Sequence, residues 1–380
     1  MPTVMVSCGE ASGDLYAGAL AVELQRLAPG VRLVGLGGEK LYTAGAELIA
    51  DYRGLAVTGL IEALAVVPRS LGLLKRLRER MHKDRPDVLV VIDFPDFNFR
   101  LAAVARELGI PVVYYVSPQL WAWRPGRIRV LEKIASKVLV IFPFEKAIYE
   151  KAGIPVEFVG HPLPDLIQVT ESRERLLAAA GLDPKVPTVA LLPGSRPNEV
   201  KTILPVLAEA ATIIRQRVPS AQFVIARAPD LPSELFHTFN RYTGPSATIA
   251  GRADDVLNAC DVVATASGTA TVQAALHERP MVIVYKLAPL TYLMGRRFVK
   301  LDTFGMVNLL AGRRIVPELI QHDFTPARVA DETVSLLTDT ARATEMRRAL
   351  REVRDSLGEP GASRRAAEAV LEVARTAVVA

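Results

Sequence analysis

Two stretches in the second half of the chain carry residues suited to holding a phosphate. In CDVVATASGTATVQAAL (260–276), a short apolar strand runs into the small residues Ser267, Gly268 and Thr269, and a helix follows from Ala270. Small residues let a ligand approach the backbone, and Ser or Thr suits a helix N-cap. The first turn of a helix offers free N–H groups and the positive end of the helix dipole, which favour phosphate. LLPGSRPNEV (191–200) has the same character, with Gly194 and Ser195 in the turn and Arg196 placed to pair with a phosphate. Either turn alone is equally an ordinary strand-to-helix loop. Two in one half of the chain suggest a nucleotide site.

The first half carries carboxylates instead. In VVIDFPDFN (90–98), Asp93 and Asp96 stand where an apolar strand gives way to a turn at Pro95. A carboxylate there could act as general base on an alcohol, or Asp96 could cap the helix that follows. GEASGD (9–14) also lies between a strand and a helix. Gly9 and Gly13 would allow close approach to a ligand, and Ser12 could cap the helix. This is not the dinucleotide fingerprint, and two acids would repel a pyrophosphate. Glu10 and Asp14 are therefore assigned to sugar hydroxyls or an acceptor, with a loop and capping role as the alternative. Trp121 and Trp123, beside Arg124, Arg127 and Arg129, could line a site for a sugar, an acyl chain or a phosphate. His161 sits at an apparent domain boundary, where ligands bind, although a lone histidine is more often structural.

The elements that must position these residues alternate. Short Val- and Ile-rich runs at 3–8, 88–93, 112–116, 138–142 and 156–159 predict strands buried on both faces. Helical patterns at 15–27, 69–81, 99–108, 126–134 and 144–152 separate them. A second alternation has strands at 188–192, 222–225, 262–264 and 281–284, with helices at 171–180, 199–217, 233–239 and 269–276. Such alternation predicts α/β domains with doubly wound parallel sheets, which bind ligands at the C-terminal ends of their strands. At 380 residues the chain exceeds one typical core. The expected division is 1–165, 166–345 and a helical tail, 346–380, within a stretch of three helices broken near Thr340 and at 358–361.

Composition narrows the classes. No run of 18 apolar residues predicts a membrane-spanning helix, and no basic-then-apolar leader opens the chain. Two distant cysteines fit a reduced, cytoplasmic protein without a structural disulfide. Scattered histidines argue against zinc, so neither a metal nor another cofactor is expected. The net charge of +5 is too small to imply nucleic acid but permits attraction to acidic ligands or an anionic membrane. In 56–85 an apolar series including Leu64, Val67, Leu71 and Leu74 is interleaved with Arg76 and other basic residues. That pattern fits a membrane-surface or acyl-chain contact, and equally an ordinary helix with a solvated basic face.

With these motifs assembled, the chain resembles the lipid-A-disaccharide synthases, a family of GT-B glycosyltransferases. The resemblance rests on GEASGD (9–14), DFPDFN (93–98), SPQLWAW (117–123), the run from FPFE to GHPL (142–163), LPGSR (192–196), ASGTAT (266–271) and VNLLAGR (307–313), in one order. It implies two Rossmann-like domains facing a cleft, the first binding acceptor and lipid, the second the UDP-sugar. It also implies an inverting transfer from UDP-2,3-diacylglucosamine to the 6-hydroxyl of 2,3-diacylglucosamine 1-phosphate (lipid X), without a metal. By the resemblance, Asp96 is the first choice of base and Asp93 the second. Arg196 and the helix start after Gly268 would stabilise the leaving UDP, with Ser267, Thr269 and Ala270 in the same site, and Asn308 would complete it. The resemblance further implies a homodimer that exchanges C-terminal segments and peripheral attachment to the inner face of the cell membrane. Where other GT-B enzymes carry a ribose-binding Glu, this chain has Gln273, which can accept a hydroxyl bond more weakly. Another UDP-GlcNAc-type transferase or an epimerase, and a non-catalytic nucleotide-sugar binding protein, are the alternatives.

Overall fold

The computed structural model describes residues 1–53, 60–118, 120, 125–286, 303 and 305–379, with backbone alone at 60–66, 125 and 377–379. They form two compact units. The first takes residues 1–166 and 357–379, the second 167–286 and 305–356.

The first unit is built on seven strands: β1 (Thr3–Cys8), β2 (Arg32–Gly37), β3 (Glu47–Asp51), β4 (Val88–Ile92), β5 (Val112–Tyr115), β6 (Lys137–Val140) and β7 (Val156–Phe158). Their order is β3-β2-β1-β4-β5-β6-β7, and every pairing is parallel. β4 and β5 are buried along their whole length, which is why they appear in sequence as unbroken apolar runs. Helices α1 (Ala11–Leu27), α2 (Glu39–Thr43), α3 (Leu60–Asp84) and α4 (Pro95–Glu107) connect the early strands. The last helix, Ala362–Val379, returns to this unit and packs along α1. It buries Ala366, Ala367, Val370 and Leu371, and its alanines let the two helix backbones come close. Two bonds anchor its approach: the His161 N–H donates to Leu357 O at 2.8 Å, and the Gly361 N–H donates to the Asp165 carboxylate Oδ1 at 2.7 Å.

The second unit has six parallel strands: β8 (Thr188–Leu192), β9 (Gln222–Arg227), β10 (Ser246–Ala250), β11 (Val262–Ala266), β12 (Met281–Tyr285) and β13 (Glu318–Ile320). They are ordered β10-β9-β8-β11-β12-β13.

Sequence periodicity missed β2, β3, β10 and β13. Three of these are edge strands, half exposed or only three residues long, so the continuous apolar signal of a central strand is absent; β2 carries two glycines. The expected boundary at 345/346 falls inside the helix Thr340–Ser356, whose Met346, Leu350 and Val353 join the core of the second unit. The return to the first unit comes at 357. In α3, which runs through Pro68, the core stripe is Leu73, Leu77 and Met81. Leu74 packs against it only partly, and Leu71 is 49% exposed.

Candidate functional site

Each sheet reverses its strand order once, between β1 and β4 and between β8 and β11, and ligand sites in such sheets lie at that reversal. The sequence motifs fall at these two places. In the second unit Leu192 pairs with Thr265, so the 193–196 and 267–268 turns leave neighbouring strands at the same edge.

The 267–268 turn opens the helix Thr269–Leu276 from an unusual cap. Gly268 is the N-cap, with φ 150° and ψ −158°, no side chain caps the helix, and no acid stands in its first turn. A Cβ at Gly268 would meet nothing within 4 Å, so the helix start is open. The Thr271 N–H turns back to Gly268 O at 3.0 Å, and the N–H groups of Thr269 and Ala270 are the ones a helix start can offer to a ligand. The Ser or Thr cap expected from sequence is absent, since Gly268 holds that position; the Ser267 N–H bonds Val284 O at 3.2 Å, and Thr271 Oγ1 donates to Gly268 O at 2.8 Å.

The 193–196 turn is different. Glu199 Oε2 accepts from the backbone N–H of Ser195 (3.1 Å) and Arg196 (3.3 Å), while Arg196 Nη1 bonds Glu199 Oε1 at 3.2 Å. Gly194 is required here: φ is 120°, and a Cβ would stand 2.4 Å from Glu199 Oε2. The backbone amides expected to bind phosphate are thus taken by the protein's own carboxylate. What this turn offers is the guanidinium of Arg196, 29% exposed. Glu199 thus plays the Glu half of a capping box, three residues after Arg196, a signal the sequence analysis did not use.

Gln273 lies one helical turn further in. Its Nε2 donates to Asp254 Oδ1 at 2.7 Å, and His277 Nε2 meets the same oxygen at 3.0 Å. Burial raises the Asp254 carboxyl, but bonds from His277, Gln273 and the Gln168 N–H outweigh it and hold it below the usual range. No sequence signal marked Asp254.

In the first unit Cys8 pairs with Ile92, so GEASGD and DFPDFN emerge side by side. α1 starts at Ala11 with Glu10 at the N-cap position, which makes Ser12 a first-turn residue rather than the cap. Gly9 serves the protein: a Cβ there would lie 2.2 Å from the Phe94 ring. Gly13 is buried, its missing Cβ 3.2 Å from Cys8 Cβ, and lets α1 pack on the sheet. Asp14 is buried too, accepting from the N–H groups of Gly38 (2.7 Å), Lys40 (2.9 Å) and Leu41 (3.2 Å) at the start of α2. Of the expected acceptor contacts in this motif, Glu10 and Ser12 retain access to solvent.

Asp93 and Asp96 bracket the entry to α4. Pro95 takes the first helical position and Phe94, at φ 48°, the N-cap position without a side-chain cap, so Asp96 does not cap the helix. The Asp96 side chain is 75% exposed, and Arg127 Nη1 bonds its Oδ1 at 2.7 Å. Arg127 also lies over the Phe99 ring, 5.8 Å from its centroid.

Two other expected site residues prove to be internal braces. Asn308, 1% exposed, gives Nδ2 to Val316 O (3.0 Å) and Glu318 Oε1 (2.6 Å), and its Oδ1 takes the N–H groups of Ile315 (2.7 Å) and Val316 (3.0 Å). It ties the helix Met306–Ala311 to β13. His161, 3% exposed, packs between Tyr16 and Phe142, and its Nδ1 accepts the Leu163 N–H at 3.1 Å. Burial depresses its pKa from 6.5 to about 3, so the ring is neutral. Trp121, Trp123 and the Leu64 side chain lie outside the described residues. Val67 (42%) and Leu71 (49%) are exposed one turn apart on α3, whereas Arg76 bonds Ile49 O at 2.5 Å. Among the described residues no group of three His, Cys, Asp or Glu could hold a metal ion.

Residues 4–373 match the family model described as lipid-A-disaccharide synthetase. The lipid-A-disaccharide synthase of Geobacter metallireducens is 43% identical over 374 residues, covering 97% of each chain. That of Anaeromyxobacter dehalogenans (strain 2CP-C) is 45% identical over 374 residues, covering 98% of this chain and 97% of its own. Among solved structures, UDP-GlcNAc 2-epimerase from Neisseria meningitidis, bound to UDP-GlcNAc, aligns with a TM-score of 0.70 at 13% identity over 98% of this chain and 100% of that one. The calicheamicin glycosyltransferase CalG4 aligns with a TM-score of 0.59 at 18% identity over 98% of both chains. At these identities the structural matches speak for the GT-B fold alone.

Proposed function

The chain belongs to the lipid-A-disaccharide synthase family, and on that premise we propose how its two units divide the reaction. It is a hexosyltransferase of lipid A biosynthesis with the GT-B fold. The transfer joins UDP-2,3-diacylglucosamine to 2,3-diacylglucosamine 1-phosphate. The bond from the donor C1 to the UDP oxygen breaks, a bond from C1 to the acceptor 6-oxygen forms with inversion, and UDP leaves. The hydroxyl proton must go to a base, and charge must be absorbed on the departing diphosphate.

The second unit takes the diphosphate. The open helix start at Gly268, with Thr269 and Ala270 behind it, supplies backbone donors, and Arg196 supplies the cation. Asp254 claims the Gln273 Nε2, which leaves Oε1 as the group to accept from a ribose hydroxyl. The first unit takes the acceptor. Asp96 is the base, with Asp93 second, and Glu10 and Ser12 meet the acceptor sugar. Gly13, Asp14, His161 and Asn308 support these groups from inside the two cores. The observation that carries this division is the contrast at the two strand-order reversals: an uncapped helix start near an arginine in one unit, and a carboxylate pair in the other.

No helix among the described residues is long and apolar enough to cross a membrane. Val67 and Leu71, with basic neighbours on α3, are the proposed contact with the membrane face that carries both acylated substrates. The contact between α1 and the last helix is one that two chains could exchange in a homodimer, which light scattering would reveal as a doubled mass.

The deciding assay follows UDP release from UDP-2,3-diacylglucosamine. Release that requires the acylated acceptor supports the division. Release at the same rate with an unacylated glucosamine acceptor, or with none, refutes it.

A further inference from the structure

Three of the six non-glycine residues with positive φ among the described residues lie at one corner: Asp93 (44°), Phe94 (48°) and Val116 (56°). They follow the ends of β4 and β5, which are neighbours paired through Ile92 and Tyr115. Two left-handed residues in succession, and a β-branched one beside them, are unfavourable for L-amino acids and persist only where surrounding bonds impose them.

The Asp93 N–H bonds Tyr115 O (3.4 Å) and Val116 O (3.3 Å), and the side-chain bonds to the turn meet on one atom. The carbonyl oxygen of Asp93 accepts Asn98 Nδ2 and the Tyr114 hydroxyl, each at 2.8 Å. Asn98 also reaches Ile92 O at 3.2 Å and Ser7 O at 3.4 Å, and Ser7 Oγ donates to Asn98 Oδ1 at 2.7 Å, which fixes the amide orientation. Ser7, Asn98 and Tyr114 are each 0% exposed. Burial pushes the Tyr114 phenol well up, so it remains a donor. None of this is needed to end β4, which stops at Ile92. A glycine-containing turn would connect strand to helix without strain.

We infer that Asn98 and Tyr114 are positioning residues: by clamping the Asp93 carbonyl they hold the 93–94 turn left-handed and thereby aim Asp93 and the first turn of α4 that carries Asp96. The inference rests on the reading of that carboxylate pair as the base. It adds the group that sets their direction, because a reacting carboxylate displaced by about 1 Å can lose on the order of a hundredfold in rate.

The test compares kcat and KM for Tyr114→Phe and Asn98→Ala in two backgrounds, the natural chain and one with Asp93→Asn and Asp96→Asn. Tyr114→Phe keeps the ring and deletes one hydroxyl, so it reports on the clamp even if Asn98→Ala unfolds. The expected result is a fall in kcat of about tenfold for Tyr114→Phe and about a hundredfold for Asn98→Ala, with KM for the UDP-sugar within about twofold. In the neutralised background neither change should lower the residual rate further. Equal losses in both backgrounds would make the clamp a structural brace and overturn the inference. If neutralising the carboxylates abolishes turnover but Tyr114→Phe leaves kcat intact, only the clamp falls. If neutralisation leaves the rate intact, the base reading falls and the clamp with it.

Discussion

The crevice between β1 and β4 and the one between β8 and β11 arise from the same topology, yet they are finished in opposite ways. At β1/β4 the backbone is closed in: Phe94 fills the space over Gly9, Asp14 is spent on α2, and a left-handed turn is clamped beneath two carboxylates. At β8/β11 the backbone is open at Gly268, and the nearby side chain on offer is a guanidinium. A doubly wound sheet therefore supplies the place for a ligand, while the residues at the strand ends decide whether that place abstracts a proton or holds a diphosphate.

The largest test of that contrast is Asp96→Asn. Losing a general base lowers kcat by about 10²- to 10⁴-fold. UDP binding, measured by calorimetry, should stay unchanged, because the groups proposed to hold the nucleotide lie on the other unit. A variant that lost UDP affinity as well would break the separation of roles.

Next in size is Gly268→Val. A β-branched residue at φ 150° strains the helix start by about 1–3 kcal/mol, which corresponds to roughly ten- to a hundredfold in affinity for UDP. The KM for the acylated acceptor should not move in the same assay. Unaltered UDP affinity would remove the helix start from the nucleotide site.

A smaller effect sharpens the assignment of His161 to the core rather than to ligand. Its folded pKa is depressed to about 3 from 6.5. Between these values the unfolded chain binds a proton that the folded chain does not. Stability contributed by the neutral ring is therefore complete above pH 6.5 and is lost as pH falls toward 3, at about 1.4 kcal/mol per pH unit. Urea unfolding of His161→Asn, which keeps an acceptor for Leu163 N, should show a slope reduced by that amount between pH 6 and pH 4 against the unchanged chain. Identical slopes would return His161 to a solvated setting.

The smallest expected change is in turnover for Val67→Ser with Leu71→Ser. Both side chains are exposed, so folding and the rate in detergent micelles should be preserved within about twofold. Co-sedimentation with anionic vesicles should drop. Full retention on vesicles would exclude α3 as the membrane contact.

Central strands were legible because β4, β5, β8 and β11 are buried along their length and are mostly apolar, with Val, Leu or Ile prominent in each. The edge strands β3 and β10, half exposed, and the three-residue β13 were not, whereas the edge strand β7 was. Among the site motifs, position at a strand end was legible throughout. The use of each side chain was not: Asp14, Asn308 and His161 have the composition of ligand-binding residues, but each is buried and accepts from the protein's own backbone N–H groups.

From residue order alone came two doubly wound α/β units, the placing of Asp93, Asp96, Arg196 and Gly268 at strand ends, and the family whose motifs they share. Periodicity and local turn chemistry carry that information, because both are short-range. Tertiary structure alone decided that Asp254 orients Gln273 and that Asn98 and Tyr114 clamp the turn beneath the carboxylates. A hydrogen bond is directional and effective only within about 3 Å, so which of many polar groups find one another depends on the packing that brings their elements together.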